Sequence, residues 1–266
     1  MKAIQMKTAW FTLLVLTIVS CAKDDDLCDP NDEQSPCYAE VASGDNLLLT
    51  EYRLNDVLTA KYVYNDENRV IAMYPYDENG VNDTEILYTY NQKYQLVLTT
   101  YNRNGYIFLR DEYTYGDGNQ PISLRQFDPG NPDFNPVLSQ FTYTKNKTVI
   151  TGNSGLELTY TFDDNGNLLT NTQTTVDGQL LTTLEWGDFD DKKGATSNHH
   201  QFAWIAGRAT NNPRSERITS LVTAANIDRT VKYTYNKAGY PIKAEVYDRG
   251  TDNLVETREY IYVKAK

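Results

Sequence analysis

An aromatic–x–aromatic triplet returns along the chain and narrows what it can fold into. Tyr62-Val63-Tyr64, Tyr88-Thr89-Tyr90, Tyr113-Thr114-Tyr115, Phe141-Thr142-Tyr143, Tyr160-Thr161-Phe162, Tyr233-Thr234-Tyr235 and Tyr260-Ile261-Tyr262 are seven instances, their first residues 26, 25, 28, 19, 73 and 27 positions apart. A recurring step of this size marks one supersecondary unit used repeatedly. Within a unit, Thr84 to Tyr90 sends Ile86, Tyr88 and Tyr90 to one face and Glu85, Leu87 and Thr89 to the other, because alternate side chains of a strand point to opposite faces. Asn91-Gln92-Lys93 supplies a turn and Gln95 to Tyr101 a return strand. Asn104-Gly105 then supplies the next tight turn, where Asn and Gly tolerate positive φ. The same turn chemistry recurs at Asn79-Gly80, Asp117-Gly118, Asn165-Gly166 and Asp177-Gly178. One unit is therefore two short antiparallel strands.

Paired rings could form a stacking platform for sugars. The reading favoured here is structural: a strand Tyr buries a large ring while its hydroxyl stays bonded or wet, and the Thr between two rings faces solvent. Strands are expected near 47–53, 57–64, 69–76, 84–90, 95–101, 106–115, 121–127, 137–144, 147–152, 156–162, 167–176 and 179–186, then near 217–223, 229–235, 241–248 and 253–263. This gives an all-β antiparallel meander of about sixteen short strands, curled or barrel-like. Residues 187–215 interrupt it. There Asn198 can N-cap a short helix from His199 to Ala206, ended by Gly207, which places one helical insertion near 198–207.

The first 20 residues read as a removable leader, with Lys2 and Lys7 as its basic part and Ala9 to Val19 as an apolar run too short for a stop-transfer helix. Ile18-Val19-Ser20-Cys21 resembles a bacterial lipobox, which makes Cys21 the lipidation site and the first mature residue. Ala22-Lys23-Asp24-Asp25-Asp26 resembles the surface-export signal of Bacteroidota lipoproteins. The expected location is the outer membrane, lipid-anchored and facing outward. Residues 21–45 read as an acidic flexible tether, and residues 46–264 as a single β-repeat domain. Cys28 and Cys37 are the cysteines left once Cys21 carries lipid, and in an exported chain they are a disulfide candidate.

The net charge of −11 argues against nucleic acid, whose phosphates need basic patches. It also disfavours peripheral binding to anionic lipid, so the lipid on Cys21 must supply the membrane attachment. A spanning barrel needs strands with an uninterrupted apolar outer face. Here Arg110 and Glu112 oppose Asp111, and Glu256 and Arg258 oppose Glu259, so the sheet is expected to be soluble. No Gly-x-Ser-x-Gly elbow is present, and adjacent His199 and His200 diverge rather than share a metal. No catalytic set, metal site or cofactor is expected. Asp163-Asp164-Asn165-Gly166-Asn167 and Asp188-Phe189-Asp190-Asp191 look like fragments of calcium loops but read as turns. The interruption at 187–215 gathers the candidate binding residues Asp188, Asp190, Asp191, His199, His200, Trp204 and Arg208, since binding residues concentrate where a scaffold is interrupted. Alternatively, Phe202, Trp204 and Ile205 only cap an open end of the sheet.

The Tyr-x-Tyr strand, polar turn and return strand look like the tyrosine–aspartate repeats of Rhs-type surface proteins. With the lipobox, the acidic tether and Phe189-Asp190-Asp191-Lys192-Lys193, the chain resembles a family of Bacteroidota lipoproteins of unknown function with a porin-like fold (the DUF4595 type). That resemblance implies a barrel-like antiparallel sheet and no activity. The expected role is a surface binding or scaffold module for glycan or protein. An uncharacterised enzyme acting on extracellular glycans is the alternative.

Overall fold

The computed structural model describes residues 42–199 and 209–266. It holds sixteen strands: β1 (Leu47–Leu54), β2 (Val57–Tyr64), β3 (Val70–Pro75), β4 (Thr84–Tyr90), β5 (Leu96–Arg103), β6 (Tyr106–Tyr115), β7 (Pro121–Phe127) and β8 (Val137–Thr144), followed by β9 (Lys147–Gly152), β10 (Leu156–Phe162), β11 (Leu168–Thr175), β12 (Leu180–Phe189), β13 (Pro213–Ser220), β14 (Ala225–Tyr235), β15 (Pro241–Asp248) and β16 (Leu254–Lys264). Each pairs antiparallel with the next, and β16 pairs back onto β1 with Tyr260 opposite Tyr52, closing a barrel. Closure leaves no unpaired edge to template association. Among the described residues there is no helix. The expected helix from His199 to Ala206, with Gly207, lies outside them apart from His199.

Two strands begin earlier than the pattern suggests. Pro213 opens β13 opposite Phe189, and β14 starts at Ala225 rather than 229. A proline lacks an N–H but fits the first position of a strand. The turn between these strands is Leu221-Val222-Thr223-Ala224, which reads as strand in sequence. It turns because Ala224 takes a left-handed φ of 53°.

The repeat has a structural cause beyond ring burial. Asn65–Arg69, Asn91–Gln95, Asp163–Asn167 and Asn236–Tyr240 are copies of one five-residue turn, each directly after an aromatic pair. The first residue donates its N–H to the fifth carbonyl, and its side-chain oxygen accepts the N–H of the third and fifth residues. The fourth residue (Asn68, Tyr94, Gly166 or Gly239) is left-handed, which explains the preference for Asn and Gly there. The second ring then latches the neighbouring strand. Tyr90, Tyr115, Tyr143 and Tyr262 donate their hydroxyls to the carbonyls of Val70, Leu96, Pro121 and Pro241, the first residues of β3, β5, β7 and β15, at 2.7, 2.9, 2.7 and 2.8 Å. Each latch is worth about 1 kcal/mol.

These turns sit on the rim that also carries the lead-in to β1, the carboxyl terminus and the segment between β12 and β13; we call it the terminal rim. The Asp128–Pro136 loop joins β7 to β8 on the opposite rim.

The rings point into the barrel and Thr89, Thr114, Thr142 and Thr234 point out, as the alternation requires. Sixteen strands enclose more space than side chains can fill, and the interior divides accordingly. On one side Leu49, Val231, Ala244, Val246 and Tyr260 form a buried core, and Val70, Tyr88 and Leu96 form a second one beside it. On the other side β10 and β11 show no alternation at all, every residue on both faces being half-buried. No residue of β10, β11 or β12 is fully buried and none belongs to a buried core cluster, which sets this part of the wall apart from the packed side.

The outer wall is charged. Glu112–Arg125 (3.0 Å), Glu51–Lys61 (3.6 Å), Lys243–Glu245 (3.3 Å) and Arg217 with Glu185 (3.8 Å) and Asp228 (3.3 Å) all face outward in mid-sheet. An outward Arg or Lys at the middle of a bilayer would cost about 2–4 kcal/mol.

Candidate functional site

The interruption between β12 and β13 is stitched to the terminal rim at several points. Gly194 donates its N–H to Thr210 O (2.9 Å), and a Cβ there would meet Ala209 O at 1.7 Å, so only glycine fits. Lys193 Nζ reaches Asp45 O (2.9 Å) and lies over the Tyr240 ring. The groups that an Asn198 N-cap would bond lie outside the described residues. The Asn198 amide donates to Leu47 O (2.6 Å) and to the Tyr240 hydroxyl (3.2 Å). Asn211 and Asn167 bond each other reciprocally, the Asn211 N–H to Asn167 Oδ1 and the Asn167 amide to Asn211 Oδ1.

The candidate residues of this segment fall into separate sets. Asp188, exposed on β12, pairs with Arg214 at 3.0 Å. Asp190 closes the neck of the segment, its carboxylate accepting from the Lys192 and Asn212 N–H groups (3.0 and 3.1 Å) and from the Tyr235 hydroxyl. Burial, then that bond and the Asp190 charge, push the Tyr235 hydroxyl well above its ordinary pKa. Asp191 is exposed beside Lys192 (3.4 Å). His199 packs tilted against Tyr62 with ring centroids 4.9 Å apart, and its Nε2 lies 2.6 Å from the Tyr64 hydroxyl, over the dry half of the barrel. His200, Trp204 and Arg208, like Cys21, Cys28 and Cys37, lie outside the described residues. Asp163, from the calcium-like run, spends its carboxylate on the Asn165 and Asn167 N–H groups and the Asn167 amide, as a turn requires. Among the described residues no group of three or more His, Cys, Asp or Glu could hold a metal ion.

The lumen holds a set of residues that the motifs did not single out. Ladder partners share a face, so the burial of Thr148 and Phe141 fixes the inward side of β8 and β9. From there the register carries the inward face to Leu158 and Tyr160 on β10, Asn171 and Gln173 on β11, Thr182, Leu184 and Trp186 on β12, and Glu216 and Ile218 on β13. Next to this wall stands an ion-pair cluster. Arg258 forks onto both oxygens of Glu216 (2.6 and 2.8 Å) and also bonds Glu256, whose other oxygen lies 3.5 Å from Arg229. Burial alone would weaken the Arg258 proton affinity, but the Glu216 bonds and charge overcome it and hold the guanidinium firmly charged. The signal available in sequence was parity, since Glu256 and Arg258 alternate in step with Tyr260 and Tyr262.

A third inward carboxylate, Asp111, is only 5% exposed and has no cation beside it among the described residues. It accepts hydrogen bonds from the Tyr101 hydroxyl (2.9 Å) and the Gln126 amide (2.8 Å). Burial raises its pKa, and those two bonds only partly oppose the rise.

Known structures similar to this chain include two porin-like proteins from Bacteroides. One, from Bacteroides vulgatus ATCC 8482, is 12% identical with a TM-score of 0.44, the match covering 82% of this chain and 99% of that one. The other, from Bacteroides uniformis ATCC 8492, is 12% identical with a TM-score of 0.35, covering 84% and 100%. No protein-family model and no curated protein matches the chain. The finer likeness to the lipoprotein family and to tyrosine–aspartate repeats remains one of motifs.

Proposed function

We propose that the protein is a lipid-anchored binding module of the outer membrane, displayed outward, whose barrel stands in water and takes a ligand into the wet half of its lumen. The observation that carries this is the partly exposed inward wall of β10, β11 and β12, free of any buried core cluster, inside a closed barrel. A barrel serving only as scaffold has no need of an open interior, whereas ligand sites are commonly concavities at barrel mouths. The charged outer wall supports a barrel standing off the bilayer. The lead-in to β1 lies on the terminal rim, which is where the tether from Cys21 would arrive.

The test uses glycan and protein arrays, with any hit also assayed for product. Wild type is expected to bind at least one probe without turning it over, and Gln173→Trp, which fills the wall, to lose that probe. Binding that survives Gln173→Trp would remove the lumen from the account, and product release would favour the glycan-degrading alternative. In cells, Cys21→Ala is expected to abolish labelling by a palmitate analogue, and surface protease should degrade the wild-type protein on intact cells.

A further inference from the structure

Four polar groups on the inward wall of β10, β11 and β12 have no partner within the described chain: the Tyr160 hydroxyl, the amides of Asn171 and Gln173, and the indole N–H of Trp186. None makes a hydrogen bond, and none is sealed away from solvent. Elsewhere in the barrel most such hydroxyls are bonded, the inward Tyr52 and Tyr62 being exceptions among the described residues. The hydroxyls of Tyr64, Tyr90, Tyr115, Tyr143, Tyr233, Tyr235 and Tyr262 all donate within the chain, and the inward Thr182 bonds Ser220 at 3.2 Å. The four form one patch. Asn171 stands directly across from Tyr160 and Leu184, Gln173 is two positions along the same strand, and Trp186 is two positions beyond Leu184 on the next. Strand geometry makes the patch about 13 Å long and about 10 Å wide.

The charges beside the patch are already spent. Arg258 is shared between Glu216 and Glu256, and Arg229 leans on Glu256. Two cations and two anions neutralise one another, so this cluster offers an anionic ligand no free guanidinium and a cationic ligand no free carboxylate. The inward Asp111 stands four strands from the patch, on β6, buried and bonded to Tyr101 and Gln126. What the wall offers is two amides that both donate and accept, a phenol that does the same, an indole donor, and two aromatic faces. Neutral, polyhydroxylated rings with one apolar face need that combination: hydroxyls to exchange hydrogen bonds with amides, and C–H faces to lie on aromatic rings.

We infer that the lumenal patch Tyr160–Asn171–Gln173–Trp186 is a binding site for a short neutral oligosaccharide. This rests on the lumenal binding proposed above and gives it a ligand class. An unsatisfied wall is solvated when empty, and a ligand that reproduces those hydrogen bonds displaces its water without loss.

The test is titration calorimetry of the purified full chain with neutral glucan, mannan and xylan oligosaccharides, run beside an anionic galacturonate oligomer and a cationic glucosamine oligomer. At least one neutral series is expected to bind saturably, with affinity falling at least tenfold in Trp186→Ala and at least tenfold in the paired variant Asn171→Leu, Gln173→Leu. That paired variant keeps the bulk of the wall and guards against simple misfolding. Thr172→Ala, on the outer face between the two amides, is expected to bind as wild type. Binding of a charged oligomer, or of a peptide, that is lost in Trp186→Ala would overturn the saccharide assignment and leave lumenal binding standing. Failure of every neutral oligosaccharide at millimolar concentration, or neutral binding indifferent to both lumenal variants, also overturns it.

Discussion

Arg258→Ala is expected to destabilise the barrel by about 3 kcal/mol, the low end for breaking a buried ion pair because the lumen beside it is wet. Arg258 is the shared cation of Glu216 and Glu256, with side chains of all three about 15% exposed. Removing it leaves two inward carboxylates facing one another, with Arg229 alone as counter-charge, 3.5 Å from Glu256. A urea titration should show the midpoint fall. Adding Glu216→Leu to Arg258→Met should recover most of the loss, since an apolar pair of similar size avoids the desolvation cost. If Arg258→Ala unfolds at the wild-type midpoint, the cluster lies in bulk water rather than within the barrel.

Tyr88→Ala should cost about 3 kcal/mol, and Thr89→Ala, its immediate neighbour, less than about 0.5 kcal/mol. Tyr88 packs on Val70 and Leu96 with 9% of its surface exposed, and its hydroxyl lies 3.8 Å from the Met73 sulfur. Thr89 points outward opposite Leu98. The same contrast should hold for Tyr260 against the outward Ile261. Equal losses for Tyr88 and Thr89 in denaturant titrations would show that the rings do not define the inner face.

Period-two alternation and Asn/Asp-Gly turns locate the sixteen strands because both signals are local. Where they fail, the reason is also local. Pro213 ordinarily argues against a strand, and the apolar turn at Leu221 to Ala224 carries neither Gly nor Asn. Closure was not legible in the same way. Whether β16 meets β1 depends on twist and shear accumulated over the whole sheet, which no window of residues records. The candidate site shows this limit most clearly. Asp188, Asp190 and His199 stand close in sequence and mark an interruption, yet the first pairs with Arg214 outside, the second ties a neck and the third packs tilted against Tyr62. Tyr160, Asn171, Gln173 and Trp186 carry no motif. Parity places each on the ring face of its strand, but that no buried core cluster covers them is seen only in the closed sheet.

The division of the lumen into a wet wall and a dry wall can be measured directly by cysteine accessibility, with the three native cysteines replaced by serine. Gln173→Cys should react with a water-soluble maleimide in the folded protein, whereas Val246→Cys, at a position fully buried in the structure, should react only after denaturant is added. Gln173→Cys as slow as Val246→Cys would mean a filled barrel with no room for a ligand, and would contradict the account.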